Sequence, residues 1–226
     1  MLSNFTTSPL FGILLTFVSY LIGLKVQKRF ASPFANPLIV AAVLSVSVLL
    51  ALDIPLSNYQ IGGSYITLFL GPATATLALS IYRQYSVLKE NLLPVLAGTA
   101  VGSAVSMSSV LFLCEAFHLD EIMAKSLLAK SVTTAIAIEI TAQQGGISSI
   151  TVAAVVLTGI MGAVFSPLLI KLFRVKDSVA AGLAIGTASH ALGTTKALQI
   201  GAVEGAMSSI AIGTAGLVTV IFAMFL

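Results

Sequence analysis

The sequence is poor in charge: only 8% of its 226 residues are Asp, Glu, Lys or Arg, whereas soluble domains carry about a quarter. It has no tryptophan, one cysteine and two histidines. The lone Cys114 cannot form an intramolecular disulfide, and this cysteine with two histidines is a poor metal or catalytic set. Walker, GxSxG, HExxH and CxxC motifs are missing too. These absences argue against an enzyme and against a bound metal or cofactor.

Hydrophobic residues, in contrast, make up 58% of the chain, and the mean hydropathy is +1.07. Apolar runs of roughly 20 residues, enough to cross a bilayer, recur along the whole length. The first, "PLFGILLTFVSYLIGL", has neither a basic residue before it nor a cleavage site after it, which favours a retained span over a signal peptide. The pattern predicts an all-α, polytopic membrane protein with a single membrane domain, residues 1–226.

Charge in the links between hydrophobic segments predicts the topology. Eight segments are expected, at 9–24, 37–52, 62–82, 91–114, 121–142, 148–170, 178–199 and 204–226. The first, third and sixth links are basic and are therefore predicted to be cytoplasmic, so that the net charge of +3 reports orientation and not a nucleic-acid partner. Eight simple crossings would place the sixth link opposite the other two. We therefore expect the fifth segment, which carries Lys125, Lys130 and Glu139, to be broken or re-entrant.

Two further segments show signs of interruption. Gly71-Pro72 in the third segment disfavours a continuous helix, and glycines 186 and 193 in the seventh, each followed by threonine, suggest a looser break. The glycines are equally compatible with tight helix packing. Broken segments in both parts of the chain fit inverted repeats, with possible halves at 1–115 and 116–226. A half-helix that begins at membrane depth presents free N–H groups, which attract an anion.

Polar residues near these breaks form the candidate site. Those predicted to bind substrate are Thr74, Thr76, Ser131, Thr133, Thr134, Thr187, Ser189, His190, Thr194 and Lys196. On a continuous helix Thr187, His190 and Thr194 share one face and point into one cavity.

Each of these assignments has an ordinary structural alternative. His190 is equally suited to hydrogen-bonded packing, the hydroxyls to bonding their own helix, and Lys196 to reaching the membrane surface. His190 and Glu139 are the candidates for proton coupling. Glu139 would otherwise be protonated, paired with a lysine, or placed at the membrane interface.

Three stretches carry a family resemblance. "FLGPATATLALSIY", "KSVTTAIA" and "GTASHALGTTKALQIGAVEGAMSSIAIGTAGLVT" resemble the LrgB/CidB family of bacterial membrane proteins, with Lys196 where many members have arginine. The resemblance implies a multi-pass protein of the bacterial cytoplasmic (inner) membrane, encoded beside a smaller LrgA/CidA-like membrane protein. It also implies either of two activities. The plastid glycolate/glycerate translocator contains a related domain and bacterial members have been connected with pyruvate uptake, while others are described as holin- or antiholin-like controllers of murein hydrolase activity and lysis.

The sequence-based prediction chooses the first activity. It is a transporter of small monocarboxylates of the pyruvate, lactate or glycolate type, in which Lys196 supplies positive charge for the carboxylate. The main alternative is a holin- or antiholin-like pore or regulator of murein hydrolase activity and cell lysis. A third is a structural partner of an LrgA-like protein with no transport of its own. Expected partners are the lipid bilayer, a small carboxylate, the LrgA/CidA-like protein and a second copy of the chain, with dimerisation through glycine-rich faces.

Overall fold

A computed structural model describes residues 5–30, 35, 37–69, 71, 72, 75, 79, 82 and 85–226. Within them every regular element is a helix. The helices are α1 (Pro9–Phe30), α2 (Pro37–Ala51), α3 (Leu56–Thr67), α4 (Tyr85–Glu90), α5 (Leu92–Ala116), α6 (Glu121–Leu127), α7 (Thr134–Gln144), α8 (Ser148–Leu172), α9 (Ser178–Ile200) and α10 (Ala202–Ala223).

Four of these helices, α1, α5, α8 and α10, are long and apolar enough to cross a membrane. The chain separates into two compact units, Met1–Ala73 and Thr74–Leu226. The predicted all-α membrane architecture is confirmed. The predicted repeat halves, 1–115 and 116–226, stay a prediction.

The first unit contains α1, α2 and α3. Pro55 precedes α3, and the helix then runs through Gly62 and Gly63. The third segment was predicted to begin only at residue 62. Instead Gly62 lets α3 touch α1, since a Cβ there would lie 2.7 Å from the Gly12 Cα. Close contact, and not chain reversal, explains this glycine.

In the second unit the fifth segment is broken, as the charge pattern predicted. Asp120 caps α6, accepting a hydrogen bond from the Met123 N–H (2.7 Å), and α6 ends at Leu127. Residues 128–133, which we call the tip segment, are not helical, and α7 follows them. Thr151 of α8 joins the two helices, because its hydroxyl donates to the Ser126 carbonyl (2.8 Å) and its oxygen lies 2.9 Å from the Thr141 hydroxyl oxygen.

The helices α6 and α7 therefore form a hairpin. Gln144 at the end of α7 lines the same cavity as Glu121 at the start of α6. The far end of the hairpin, the tip segment, lies at the middle of α5, where Ser131 meets Ser106. A segment that enters and leaves on the same side does not cross the membrane, which resolves the parity conflict in the predicted topology.

The seventh segment, α9, is also a hairpin. Ser189 (φ −140°) and His190 (φ 43°) interrupt its helical geometry. A Cβ on Gly193 would lie 3.0 Å from the Ile185 Cγ2, whereas eight residues of straight helix span about 12 Å. The two halves, residues 178–188 and 191–200, therefore run antiparallel. The predicted break exists, but it lies between the two glycines that suggested it.

Both halves of α9 pack against the same part of α10, near its start. A Cβ on Gly182 would lie 2.5 Å from the Glu204 carbonyl oxygen, and one on Gly205 would lie 3.0 Å from the Leu198 Cα. The α9 hairpin thus enters the unit from the end where α10 begins. The α6–α7 hairpin enters from the end where α10 finishes, because Gln144 donates to the Ala223 carbonyl (3.1 Å).

The two hairpins approach each other in the core around Val155 of α8. His190 bonds the Val155 carbonyl, and the Val155 side chain packs with Ala129 and Val132 of the tip segment. All three apolar side chains are at most 3% exposed. The middle of the second unit is therefore built from two chain reversals that enter from opposite ends and pack against one continuous helix.

Candidate functional site

One candidate site is a large cavity of about 930 Å³ between α5 and the first half of α9. Asn91 and Asp177, at the starts of these two helices, line one end, and Ser106 and Ser131 line the other. Between Asn91 and Ser106 the helix rises by about 22 Å. The cavity therefore extends from one face of the unit to its middle.

The walls of the cavity are mostly small and apolar. On α5 they include Ala97, Gly98 and Val101, and on α9 they include Ala180 and Ala184. Short side chains leave space between two helices that would otherwise pack closely. The cavity exists because these positions carry little volume, and its polar side chains lie toward its two ends.

The base is formed by the tip segment against α5. The hydroxyls of Ser131 and Ser106 share a hydrogen bond of 2.7 Å, and the Lys130 ammonium donates to the Ser131 hydroxyl at 3.4 Å. Lys130 forms no ion pair with the described residues. A cation at membrane depth costs several kcal/mol when it is unsolvated, and Lys130 lines this cavity.

Thr187 also faces this cavity. Its side chain lies against Gly102 of α5, where a Cβ would be 2.7 Å from the Thr187 Cγ2. The residue is 7% exposed, and its hydroxyl makes no hydrogen bond within the described part of the chain. A buried hydroxyl without a partner is uncommon, so this group is a candidate contact for water or a solute.

The expected common face of Thr187, His190 and Thr194 is wrong. The Nε2 of His190 lies 2.9 Å from the Val155 carbonyl oxygen on α8. Thr194 shares a hydrogen bond of 2.7 Å with Ser208 of α10. Because the chain reverses at Ser189 and His190, side chains that a straight helix would align point to three different helices. Only Thr187 of the three lines the cavity.

The other predicted residues are dispersed. Ser189 donates to the Ile185 carbonyl (2.7 Å), Lys196 donates to Gln199 (3.2 Å), and Thr133 has a buried hydroxyl without a hydrogen-bond partner among the described residues. Thr134 is the half-buried first residue of α7, and Glu139 on the same helix is exposed. Thr74 and Thr76 lie outside the described residues. Of the predicted set, the described structure brings Ser131 and Thr187 to the large cavity.

Sequence reasoning missed two parts of the cavity base. Ser106 was not singled out, although it begins the hydroxyl run of "SMSS" in the middle of an apolar segment, an unusual position for a polar residue. Lys130 was used only as a sign that the fifth segment is broken. Among the described residues no group of His, Cys, Asp and Glu is suited to hold a metal ion.

The sequence is similar to known proteins along most of its length. The sequence model of the LrgB-like family matches residues 16–226. The antiholin-like protein LrgB of Bacillus subtilis (strain 168) is 38% identical over 217 residues, which are 96% of this chain and 94% of the relative. Antiholin-like protein LrgB of Bacillus cereus (strain B4264) is 39% identical with the same coverage of both chains. The uncharacterized protein YxaC of Bacillus subtilis (strain 168) is 41% identical over 88% of this chain and 86% of its own length. No solved structure matches.

These relatives correct the function predicted from the sequence. Both LrgB relatives are named antiholin-like, and that name fits the stated alternative instead of a carrier of monocarboxylates. The predicted transport of pyruvate, lactate or glycolate is therefore wrong. Among the described residues, only Ser131 and Thr187 of its expected binding set line one cavity. The resemblance on which the alternative rests is confirmed: this chain belongs to the LrgB-like family.

Proposed function

We propose that this protein is an antiholin-like regulator of the bacterial cytoplasmic membrane, which restrains murein hydrolase activity and cell lysis. The observation that carries this proposal is the similarity to antiholin-like LrgB proteins over 96% of the chain. Because the match leaves out little of either protein, the likeness is not confined to a shared membrane segment. The role is non-enzymatic and acts through the membrane domain itself.

The closed interior of the second unit supports a restraining role over a permanently open pore. Leu128 and Ala129 of the tip segment are 3% and 1% exposed. Val155 of α8, against which both hairpins pack, is completely buried. A permanently open pore needs a water-lined bore, whereas these apolar side chains fill the middle of the unit.

Three further properties belong to the proposal. The two hairpins enter the second unit from opposite ends, which supports an inverted arrangement of its elements. A small LrgA/CidA-like membrane protein is the expected partner, and the chain is expected to form homo-oligomers.

Lysis kinetics in the host bacterium test the proposed function. We expect a strain without this gene to lose turbidity faster than the parent when the membrane potential is dissipated, with more murein hydrolase activity released. Expression of the intact chain should restore the slower rate, with and without the neighbouring LrgA-like gene as separate arms. Membrane levels of the protein are matched by immunoblotting. Lysis of the deletion strain at or below the parental rate contradicts the proposal.

A further inference from the structure

A second cavity approaches the tip segment from the opposite end of the unit. It has a volume of about 310 Å³ and is lined by Leu111 of α5, Ala124 and Lys125 of α6, Leu128 of the tip segment and Gln144 of α7. The large cavity reaches Lys130 and Ser131 of the same segment. One short piece of chain thus separates two cavities that extend from opposite ends.

The separation between the cavities is thin. The large cavity reaches Ser106 on α5 and the smaller one reaches Leu111, which is a rise of about 7.5 Å along the helix. On the tip segment the two cavities are separated by Ala129, which is 1% exposed. A displacement of one or two residues would therefore be enough to join them.

The part of the tip segment beside the large cavity is held by few polar contacts. The Ser106–Ser131 hydrogen bond is the side-chain bond that ties it to α5. The buried Thr133 hydroxyl at its end makes no hydrogen bond within the described chain. The polar attachment of the tip segment to α5 therefore rests on this bond, while Leu128, Ala129 and Val132 hold the segment by apolar burial.

We propose that the two cavities are the halves of one water pathway through the second unit, and that the tip segment is its gate. In the closed state Leu128 and Ala129 exclude water between the halves, as hydrophobic constrictions do in channels. The Ser106–Ser131 bond holds that state. Opening displaces Ser131 from α5 and exposes Lys130 to both cavities. This inference goes beyond the proposed function and does not depend on it.

Cysteine labelling from each side of the membrane tests the gate. In a Cys114→Ala background, Ala184→Cys reports on the large cavity, Ala124→Cys on the smaller one, and Ala137→Cys on the buried core. The probe is a charged, membrane-impermeant methanethiosulfonate, which reacts with thiolates in water. We expect Ala184→Cys to react much faster from the side of the 171–176 link than from the other side, Ala124→Cys much faster from that other side, and Ala137→Cys from neither.

Loss of the Ser106–Ser131 hydrogen bond should change the side from which Ala184→Cys is labelled. Ser131→Ala and, separately, Ser106→Ala remove the same hydrogen bond, and each should raise the rate at which Ala184→Cys is labelled from the far side by about fivefold. Ser109→Ala is the matched control, because its hydroxyl bonds the carbonyl of Ser106 within α5 and does not reach the tip segment. It should leave the far-side rate unchanged.

A reversible cross-link gives a second readout that does not depend on destabilising the protein. The two hydroxyls lie 2.7 Å apart, so Ser106→Cys together with Ser131→Cys places two thiols within reach of a disulfide. With the label quantified at position 184, because the two added thiols line the same cavity, oxidation should lower far-side labelling of Ala184→Cys and reduction should raise it again. Equal labelling of Ala184→Cys from both sides in the starting protein, or sidedness unaffected by the alanine variants and by the cross-link, overturns the proposed gate.

Discussion

At the scale of single residues, His190 illustrates how a polar side chain serves the fold. Its φ of 43° lies in a region that favours glycine, yet the imidazole is buried and bonds the Val155 carbonyl at 2.9 Å. The adjoining Ser189 packs on Gly162, where a Cβ would come 3.5 Å from its Cα. The histidine contributes a buried hydrogen bond, while its backbone carries strain of about 1–3 kcal/mol.

Two substitutions separate these effects at position 190. His190→Ala and His190→Gly both remove the hydrogen bond to Val155 and should both lower the melting temperature. The glycine also relieves the positive φ, so we expect it to be the more stable variant by about 1 kcal/mol, or about 2–4 °C.

The chain's lone cysteine reports this unfolding. Cys114 is 4% exposed and becomes reactive when the fold opens, so a fluorogenic thiol reagent gives the melting curve in detergent. Purified protein of each variant is compared at equal detergent concentration. A glycine variant that melts at or below the alanine variant would show that the backbone at position 190 is not strained.

At the scale of helices, close packing of α9 on α10 rests on glycines. Gly186 is the clearest case, because a Cβ there would lie 2.3 Å from the Ser208 carbonyl oxygen and 2.8 Å from the Ala211 Cβ. A backbone carbonyl cannot move aside without displacing its helix. Gly186 is therefore required for the two helices to touch along this part of their length.

We predict opposite effects for two Gly→Ala substitutions. Gly186→Ala should destabilise the protein by about 1–3 kcal/mol, because the added methyl group separates α9 from α10. Gly98→Ala is the matched control: its Cβ would lie 3.7 Å from Leu183, an ordinary contact, and alanine should stabilise α5 by up to about 1 kcal/mol.

The Cys114 unfolding assay measures both glycine variants. A Gly186→Ala protein that melts like the unaltered chain would mean that α9 and α10 are farther apart than described. A Gly98→Ala protein that loses as much stability as Gly186→Ala would mean that the cavity wall on α5 is closely packed.

The two hairpins differ in how far they could be predicted. The break in the fifth segment was predictable, because charges in the links required a segment that does not cross and Lys130 is costly inside a continuous span. The reversal at Ser189 and His190 was predicted at the wrong position, because neither residue is a glycine or proline. Its position is fixed by contacts with Gly159 and Gly162 on α8, which are distant in sequence.

The candidate site also has a part that the local sequence predicted and a part that depends on tertiary packing. The hydroxyl of Ser131 was predicted because it lies in an apolar segment that was expected to be broken or re-entrant. The pairing of Ser131 with Ser106 depends on how the hairpin meets α5, and Thr187 was separated from His190 and Thr194 by a reversal that local sequence did not locate. Local pattern thus identified polar residues in apolar segments, while tertiary packing decided which of them face one cavity.

At the scale of the second unit, the hairpins decide on which side each link lies. The links at 171–176 and around 201 adjoin the same end, because α9 folds back on itself, and Asn91 and Asp177 line one end of the large cavity. The links at 117–120 and 145–147 adjoin the other end, where Gln144 bonds Ala223. Basic residues Lys171, Arg174 and Lys176 thus share an end with Lys89, as the positive-inside rule requires.

Single cysteines in a Cys114→Ala background test this arrangement in intact and inverted membrane vesicles. We expect Glu90→Cys, Val175→Cys and Gln199→Cys to react with an impermeant maleimide from one side, and Leu119→Cys and Gln143→Cys from the other. Gln199→Cys is decisive, because a straight α9 would carry it across the membrane from Val175. None of the five substitutions removes a basic residue, so the charges that orient the protein are retained. If the maleimide labels Gln199→Cys from the same side as Leu119→Cys, and not from the side that labels Val175→Cys, α9 crosses the membrane and is not re-entrant. The large cavity would then lose the hairpin that forms its wall.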